Sequence, residues 1–346
     1  VSSEQSSSSP HFPSFINWPD EYHSWWGIKL LPEVIEEDEG YRNYICGENG
    51  ILKKWLRCGI AGYRLDVADE LPDIFLDDLR KSVKSENENA IIIGEVWEDA
   101  TNKFAYGQRR KYLLGEELDS VMNYPFADAI LNFVRYANGN AFFNAVLSII
   151  ENYPPQVLNV LMNHIGTHDT ERAITRLAGE NPDGHDRAWQ FEHNTLSEFD
   201  YLKGISMMKI ASLIQFTLPG VPSIYYGDEI GMQGMKDPFN RGCMPWNKPN
   251  EELLKWYKRL GQIRHSSKAF IDGDFEKLYC DGGVIAYSRS SEGDNILVAI
   301  NNSNEQKRIF VGTQWDNSYS LFDEKSVDGF VNLPPYRYTL LSKKEY

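Results

Sequence analysis

Cysteine is scarce in this chain of 346 residues. There are four, Cys46, Cys58, Cys243 and Cys280, with no CxxC pair and no framework spacing. That excludes a disulfide scaffold and reads as free thiols in a reducing, cytoplasmic compartment. Long apolar runs are missing too: none approaches the roughly 18 residues of a membrane helix. Val1 does not open a signal peptide. No glycine-rich loop of the phosphate-cradling kind is present, which argues against a phosphate-binding barrel. Positive charge is short, with 35 Lys and Arg against 50 Asp and Glu, a net charge of −15. Such a surface repels nucleic acid and anionic membranes and suits neutral, polar ligands.

Aromatic residues are plentiful instead, with 9 Trp and 19 Tyr. Most such rings fill cores, but flat amphipathic rings also stack on sugar faces. The serine-rich opening, Ser2 to Ser9, reads as a loop or ragged end rather than the start of a folded domain. Residues 10–45 have no clean period and read as a structured loop region with Trp18, Trp25 and Trp26 among its aromatics. Spacing predicts a helix over 44–58, a short strand over 60–68, and a helix over 72–85 with Pro72 in its first turn. The run Ala90-Ile91-Ile92-Ile93-Gly94-Glu95 predicts a strand buried on both faces, as in a parallel sheet. Further strands are expected over 120–125, 157–165 and 221–226, and helices over 127–136, 141–151, 201–217 and 251–265. Alternating strands and helices on this scale argue for βα units. After residue 268 the pattern changes to short alternating segments separated by turn signals, among them Asp281-Gly282-Gly283 and Asp328-Gly329, the signature of a small antiparallel β domain.

Three of the predicted strand ends carry acids: Asp66, Glu95 and Asp169. Two have a cation or imidazole close by in sequence, Arg64 and His168. Ligand groups gather at the carboxyl ends of parallel strands. Carboxylates brought together there push their pKa values apart, which is the division of labour that glycosidic cleavage needs. His164 and His168 stand four apart and raise the thought of a metal, but no third ligand is spaced nearby, so no metal site is expected.

Several of these stretches resemble motifs of the α-amylase family of glycoside hydrolases. Gly62-Tyr63-Arg64-Leu65-Asp66-Val67-Ala68 resembles the motif on the family's fourth barrel strand, Gly94-Glu95-Val96-Trp97 the fifth, and Thr167-His168-Asp169-Thr170 the seventh, with Thr167 where Asn is usual. Leu31-Pro32-Glu33-Val34 resembles the short motif late in the family's inserted domain. Gly220 to Glu229 resembles the eighth strand, and Asp237-Pro238-Phe239-Asn240-Arg241 the loop after it. Met122-Asn123-Tyr124-Pro125, with Ala68-Asp69-Glu70, leans toward the neopullulanase and cyclomaltodextrinase branch.

The resemblance implies an α/β fold of the (β/α)8 TIM-barrel type, with strands four to eight in this chain. Residues 1–45 would be the end of the inserted domain, 46–268 the C-terminal part of the barrel, and 269–346 a C-terminal β-sandwich. It implies a retaining α-glucan hydrolase acting on maltodextrins, cyclodextrins or pullulan. Asp66 matches the nucleophile, Glu95 the general acid and then base, and Asp169 the third carboxylate, which holds sugar hydroxyls. Arg64 should keep Asp66 ionised, His168 should donate to a sugar hydroxyl, and Asp237 and Arg241 match residues that bind sugar. Trp97, beside the acid motif, is favoured for the site over plain packing. The family often holds a structural calcium; the position four after Asp66, often His where that site exists, is Glu70 here, so calcium is doubtful.

The family's motif at the end of strand three is not found, and strands one to three are expected from a companion segment or chain. Five βα units alone would leave exposed parallel edges. Two other functions stay open at this point: a transglycosylase on the same substrates, in which a sugar replaces water, and a non-catalytic carbohydrate-binding or accessory subunit, disfavoured because all three carboxylates are present.

Overall fold

The structure, a computed structural model, describes residues 24–322 and 326–344. The serine-rich opening and Trp18 therefore lie outside the described residues. The chain divides into two compact units, Val1–Met122 and Asn123–Tyr346.

The first unit is built on three parallel strands, β1 (Gly62–Leu65), β2 (Ile91–Gly94) and β5 (Ser120–Val121), in the order β1-β2-β5. Gly62 pairs with Ile91 at the start of this ladder, and a Cβ there would lie 2.0 Å from the Ile91 carbonyl oxygen, so only glycine lets the two strands meet. Before the sheet, the expected single helix over 44–58 is two: α1 (Glu39–Cys46), capped by the Asp38 side chain, and α2 (Ile51–Arg57), which starts after Gly50. The two glycines at 47 and 50 close one helix and open the next, and a helical period read across them hides the break. Helix α3 (Asp73–Glu86) buries Phe75, Leu76, Leu79 and Val83, the expected face, with Pro72 at its N-cap rather than inside its first turn.

Asp119 ties α3 to the sheet. It accepts from Arg80 and Lys84, both at 2.8 Å, and from the Ile92 amide at 2.8 Å. Burial alone would raise its pKa, but these donors hold the carboxyl below the usual value. Along β2, Ile92 is fully buried while Ile91 and Ile93 are half-buried, so within the described chain the strand is covered more on one face than the other. A continuous apolar run cannot show this difference. A small hairpin, β3 (Phe104–Ala105) with β4 (Gln108–Arg109), follows and carries exposed Phe104 and Tyr106.

The second unit opens with α4 (Tyr124–Tyr136), capped by Asn123, and α5 (Gly139–Asn152), capped by Asn138. The strand expected over 157–165 is shorter than its apolar run: α6 (Pro155–Leu158) takes the beginning and β6 (Met162–Asn163) the end. The Pro154-Pro155 pair starts a helical turn there instead. Helices α7 (Ala173–Ala178), α8 (Arg187–Glu192) and α9 (Glu198–Thr217) follow, then β7 (Val221–Pro222), parallel to β6. Helix α9 is buried along most of its second half, as a central helix must be. Helix α10 (Glu251–His265) has the predicted bounds, with the Asn250 side chain capping it and Arg264 and His265 in the last turn.

After α11 (Ala269–Asp272) come β8 (Asp274–Asp281), β9 (Val284–Ser291), β10 (Asp294–Asn301), β11 (Lys307–Phe310), β12 (Ser318–Ser320), β13 (Ser326–Val327), β14 (Phe330–Leu333) and β15 (Arg337–Lys344). Six form one sheet in the order β13-β12-β15-β10-β9-β8, and β11 pairs with β14 in a second. Val284, Ala286, Leu297, Ala299 and Leu341 of the large sheet pack with Ile309, Val311, Val331, Leu333 and Trp315 in one core shared by the two sheets. Buried Arg289 anchors it to the helices: its guanidinium donates to the carbonyls of Gly273 and Thr217.

Candidate active site

The predicted residues fall in two groups, one in each unit. In the first unit, strand β1 ends in a sharp change of direction. Val67 is left-handed, with φ +41°, and Ala68 to Glu70 turn into a 3-10 helix. A β-branched residue held there is strained, and such strain gathers at functional sites. The turn is held from the neighbouring strand: the Val67 amide donates to Glu95 Oε2 at 2.9 Å and the Ala68 amide to the Glu95 carbonyl at 3.2 Å.

Arg64 sits between the two acids. Its Nη1 lies 2.5 Å from Asp66 Oδ1 and its Nη2 3.0 Å from Glu95 Oε2. One guanidinium therefore contacts both carboxylates: it bonds Asp66, the partner the sequence suggested, and also pairs with Glu95. The two acids differ in setting. The Asp66 side chain is 75% exposed and that of Glu95 is 5% exposed. Trp97 Nε1 donates to Glu95 Oε1 at 3.2 Å, which places this tryptophan on the acid. A cavity of about 1000 Å³ lies beside Asp66, lined among others by Trp25, Glu33, Glu70 and Tyr106. Glu70 accepts from the Tyr106 hydroxyl and from Trp26 Nε1, which stacks on Trp25 at 4.5 Å. Lys103 pairs with Asp69 at 2.8 Å, and Arg110 donates to the carbonyls of Asp69 and Leu71. Lys103, Tyr106 and Arg110 carry no local sequence signal; they reach the site from the hairpin region.

The second group surrounds Asp169. His168 Nε2 lies 3.2 Å from Asp169 Oδ2, and Arg241 Nη2 lies 3.4 Å from Oδ1. Arg241 Nε also holds Asp237 Oδ1 at 3.0 Å, so the loop motif of 237–241 and the Asp169 segment are joined. Thr167, in place of the family's usual Asn, still caps the turn: its hydroxyl accepts from the Asp169 amide at 3.2 Å. Behind the segment is a pair that sequence reasoning did not single out. Arg172 and Asp228, both buried, stand 3.7 Å apart, with the guanidinium over the rings of Tyr225 and Tyr226. Burial pushes the Asp228 carboxyl up to about 7 against the pull of Arg172. Gly166 packs on it so closely that a Cβ would lie 2.4 Å from Asp228 Oδ2.

His164 and His168 do not share a ligand. His164 is buried edge-on to Tyr124 at 4.5 Å, and burial lowers its pKa to about 3, so it is neutral. His168 faces Asp169. Glu70, at the position expected to bear on calcium, is engaged by Tyr106 and Trp26. Among the described residues no group of three or more His, Cys, Asp or Glu is arranged to hold a metal ion. The four cysteines are free thiols. No helix among the described residues is long and apolar enough to cross a membrane.

A strand-end acid pair bridged by arginine, a His-Asp turn, a sheet of parallel strands and a closing antiparallel domain together match one family. The chain belongs to the α-amylase family of glycoside hydrolases: the family's catalytic domain matches residues 14–254 and its C-terminal domain residues 273–320. The fold class is accordingly the TIM barrel followed by an antiparallel sheet domain. Within the family, the chain is 34% identical over 286 residues to a cyclomaltodextrinase of Thermoanaerobacter pseudethanolicus, covering 81% of this chain and 44% of that protein. It is 30% identical over 292 residues to neopullulanase 2 of Thermoactinomyces vulgaris, covering 82% of this chain and 43% of that one. Among solved structures, a debranching enzyme from Nostoc punctiforme matches with a TM-score of 0.78 at 25% identity, over 97% of this chain and 71% of that one. The chain thus spans less than half the length of these two curated relatives.

Proposed function

We propose that this chain carries the catalytic carboxylates of a retaining hydrolase of α-1,4-glucosidic bonds in maltodextrins, cyclodextrins or pullulan. The observation that supports the reading best is Arg64, whose guanidinium holds Asp66 and Glu95 at once. A retaining mechanism needs two carboxyl groups close together on one scissile bond. Exposed Asp66 is the nucleophile: its carboxylate attacks the anomeric carbon and forms the glycosyl ester. Buried Glu95, oriented by Trp97 and the Val67 amide, gives its proton to the leaving oxygen. It then takes a proton from the water, or from the sugar hydroxyl, that releases the ester. Hydrolysis and transglycosylation differ only in that last acceptor. Asp169, flanked by His168 and Arg241, holds sugar hydroxyls in the distorted ring, and Asp237 is held ready by Arg241 for the glucan on the same side.

The reading includes a companion segment that supplies the family's first three barrel strands. Its support is the five short parallel strands among the described residues and the share of its relatives that the chain spans. The free thiols fit a reducing, cytoplasmic setting. The test uses maltotriose and β-cyclodextrin with the chain alone and with the N-terminal part of a cyclomaltodextrinase supplied in trans or fused. Turnover is expected only in the completed protein. Asp66→Asn should abolish that turnover while binding persists, because the nucleophile is lost with little change of shape. Robust turnover by the chain alone would refute the companion segment; an Asp66→Asn enzyme that keeps about a tenth of the activity would unseat the nucleophile.

A further inference from the structure

Asn240 is fully buried and sits within the loop motif, between Asp237 and Arg241 in sequence. Its amide nitrogen donates twice, to the His168 carbonyl at 2.7 Å and to the Thr170 carbonyl at 2.7 Å. Those two carbonyls bracket Asp169. A single NH2 group therefore bridges the residue before and the residue after the proposed transition-state carboxylate. It fixes the backbone dihedrals on both sides of Asp169.

The rest of the neighbourhood fixes Asn240 in turn. Its own carbonyl accepts from the Tyr225 hydroxyl at 3.3 Å. Gly234 packs so tightly beneath that a Cβ there would lie 2.9 Å from Asn240 Cα. The next residue, Arg241, adds a third donor to the same backbone, Nε to the His168 carbonyl at 3.0 Å, and its other arm touches the carboxylate itself. The Asp169 amide is closed off by Thr167. Every backbone group around Asp169 that Asn240 and Arg241 can reach is thus held from one short 3-10 turn, Phe239–Arg241.

We infer that Asn240 is the positioning residue for Asp169: its amide aims the carboxylate at the distorted sugar ring without touching sugar itself. The inference rests on the reading of Asp169 given above. Both bonds need a donor facing two acceptors. Asn240→Asp keeps the shape but sets a carboxylate against two carbonyl oxygens, and it should turn the Asp169 segment away.

The test measures the affinity of acarbose, whose first ring is flattened like the transition state, by calorimetry in the completed enzyme. Asn240→Asp should weaken acarbose about 10- to 100-fold, the scale of a displacement near 1 Å at a catalytic group. Maltotriose affinity should change much less, since the loss falls on the distorted state. In an Asp169→Ala background the same change should cost less than about twofold, because the group it aims is gone. If Asn240→Asp binds acarbose like the unaltered enzyme, or costs the same in both backgrounds, the inference is overturned. If Asp169→Ala alone leaves acarbose affinity intact, the role of Asp169 fails and the inference with it. Where Asn240→Asp does not fold, Asn240→Ser, which keeps one donor, is read by the same two criteria.

Discussion

Glu117, just before β5, should make this protein less stable as the pH rises, and replacing it should remove that loss. Its side chain is 0% exposed, and among the described residues neither carboxyl oxygen has a hydrogen-bond partner. The nearest cation is Lys111 Nζ at 3.7 Å. Burial, with the Asp73 carboxylate as a smaller cause, pushes its pKa up from 4.5 to about 7. The folded value is above the unfolded one, so the folded state holds its proton more tightly. The stabilisation is complete below the unfolded pKa and is lost as the pH climbs through the folded value. A shift of about 2.5 units at 1.36 kcal/mol each gives a loss of about 3 kcal/mol between roughly pH 4.5 and 7. Glu117→Gln keeps the size, stays neutral and has no such loss. Urea unfolding of both proteins, followed by tryptophan fluorescence, should give similar stabilities near pH 5 and a variant more stable by about 3 kcal/mol near pH 8. A difference that does not change with pH would refute the reasoning, as would a variant less stable at pH 8.

Asp119 works in the opposite sense. Arg80, Lys84 and the Ile92 amide hold its pKa below the usual value, so its contribution is present at neutral pH and lost as the pH falls through that depressed value. Asp119→Asn should cost about 2–4 kcal/mol at pH 7 and progressively less below about pH 4, again by urea unfolding. Arg289→Met would leave the buried carbonyls of Gly273 and Thr217 without their donor. It should destabilise the protein by about 2–6 kcal/mol, and a loss under about 1 kcal/mol would show that the anchor is dispensable.

The two carboxylates of the first unit show how far a sequence pattern reaches. Asp66 and Glu95 stand out because each ends a strand, and a short window shows both strands, one by its alternation and the other by its continuous apolar run. Which of them water can reach does not follow, and neither does the sharing of Arg64. Both depend on strands β1 and β2 lying side by side, with residues 29 positions apart brought into register. The hairpin that delivers Tyr106 to Glu70 has no apolar period and was invisible for the same reason.

Element boundaries divide in a similar way. Helix α10 was legible at both ends because Asn250 caps it and its apolar face repeats cleanly. The helix over 44–58 and the strand over 157–165 were not, because a glycine pair interrupts the first and a proline pair just ahead of the second starts a helical turn that runs into it. In each case a local break or start signal in the chain outweighed the hydrophobic pattern.

By itself the sequence determined the βα succession, the antiparallel ending, the three acids and the residues beside them, since these rest on local periodicity and on short motifs. Only the tertiary structure decided what each acid is attached to. Arg64 bridges Asp66 to Glu95, Asn240 spans the backbone on both sides of Asp169, and Arg172 meets Asp228 in the interior. These bonds join positions up to 72 residues apart. A sequence names the groups, but only packing brings each cation or donor to its partner and removes the water that would otherwise take its place.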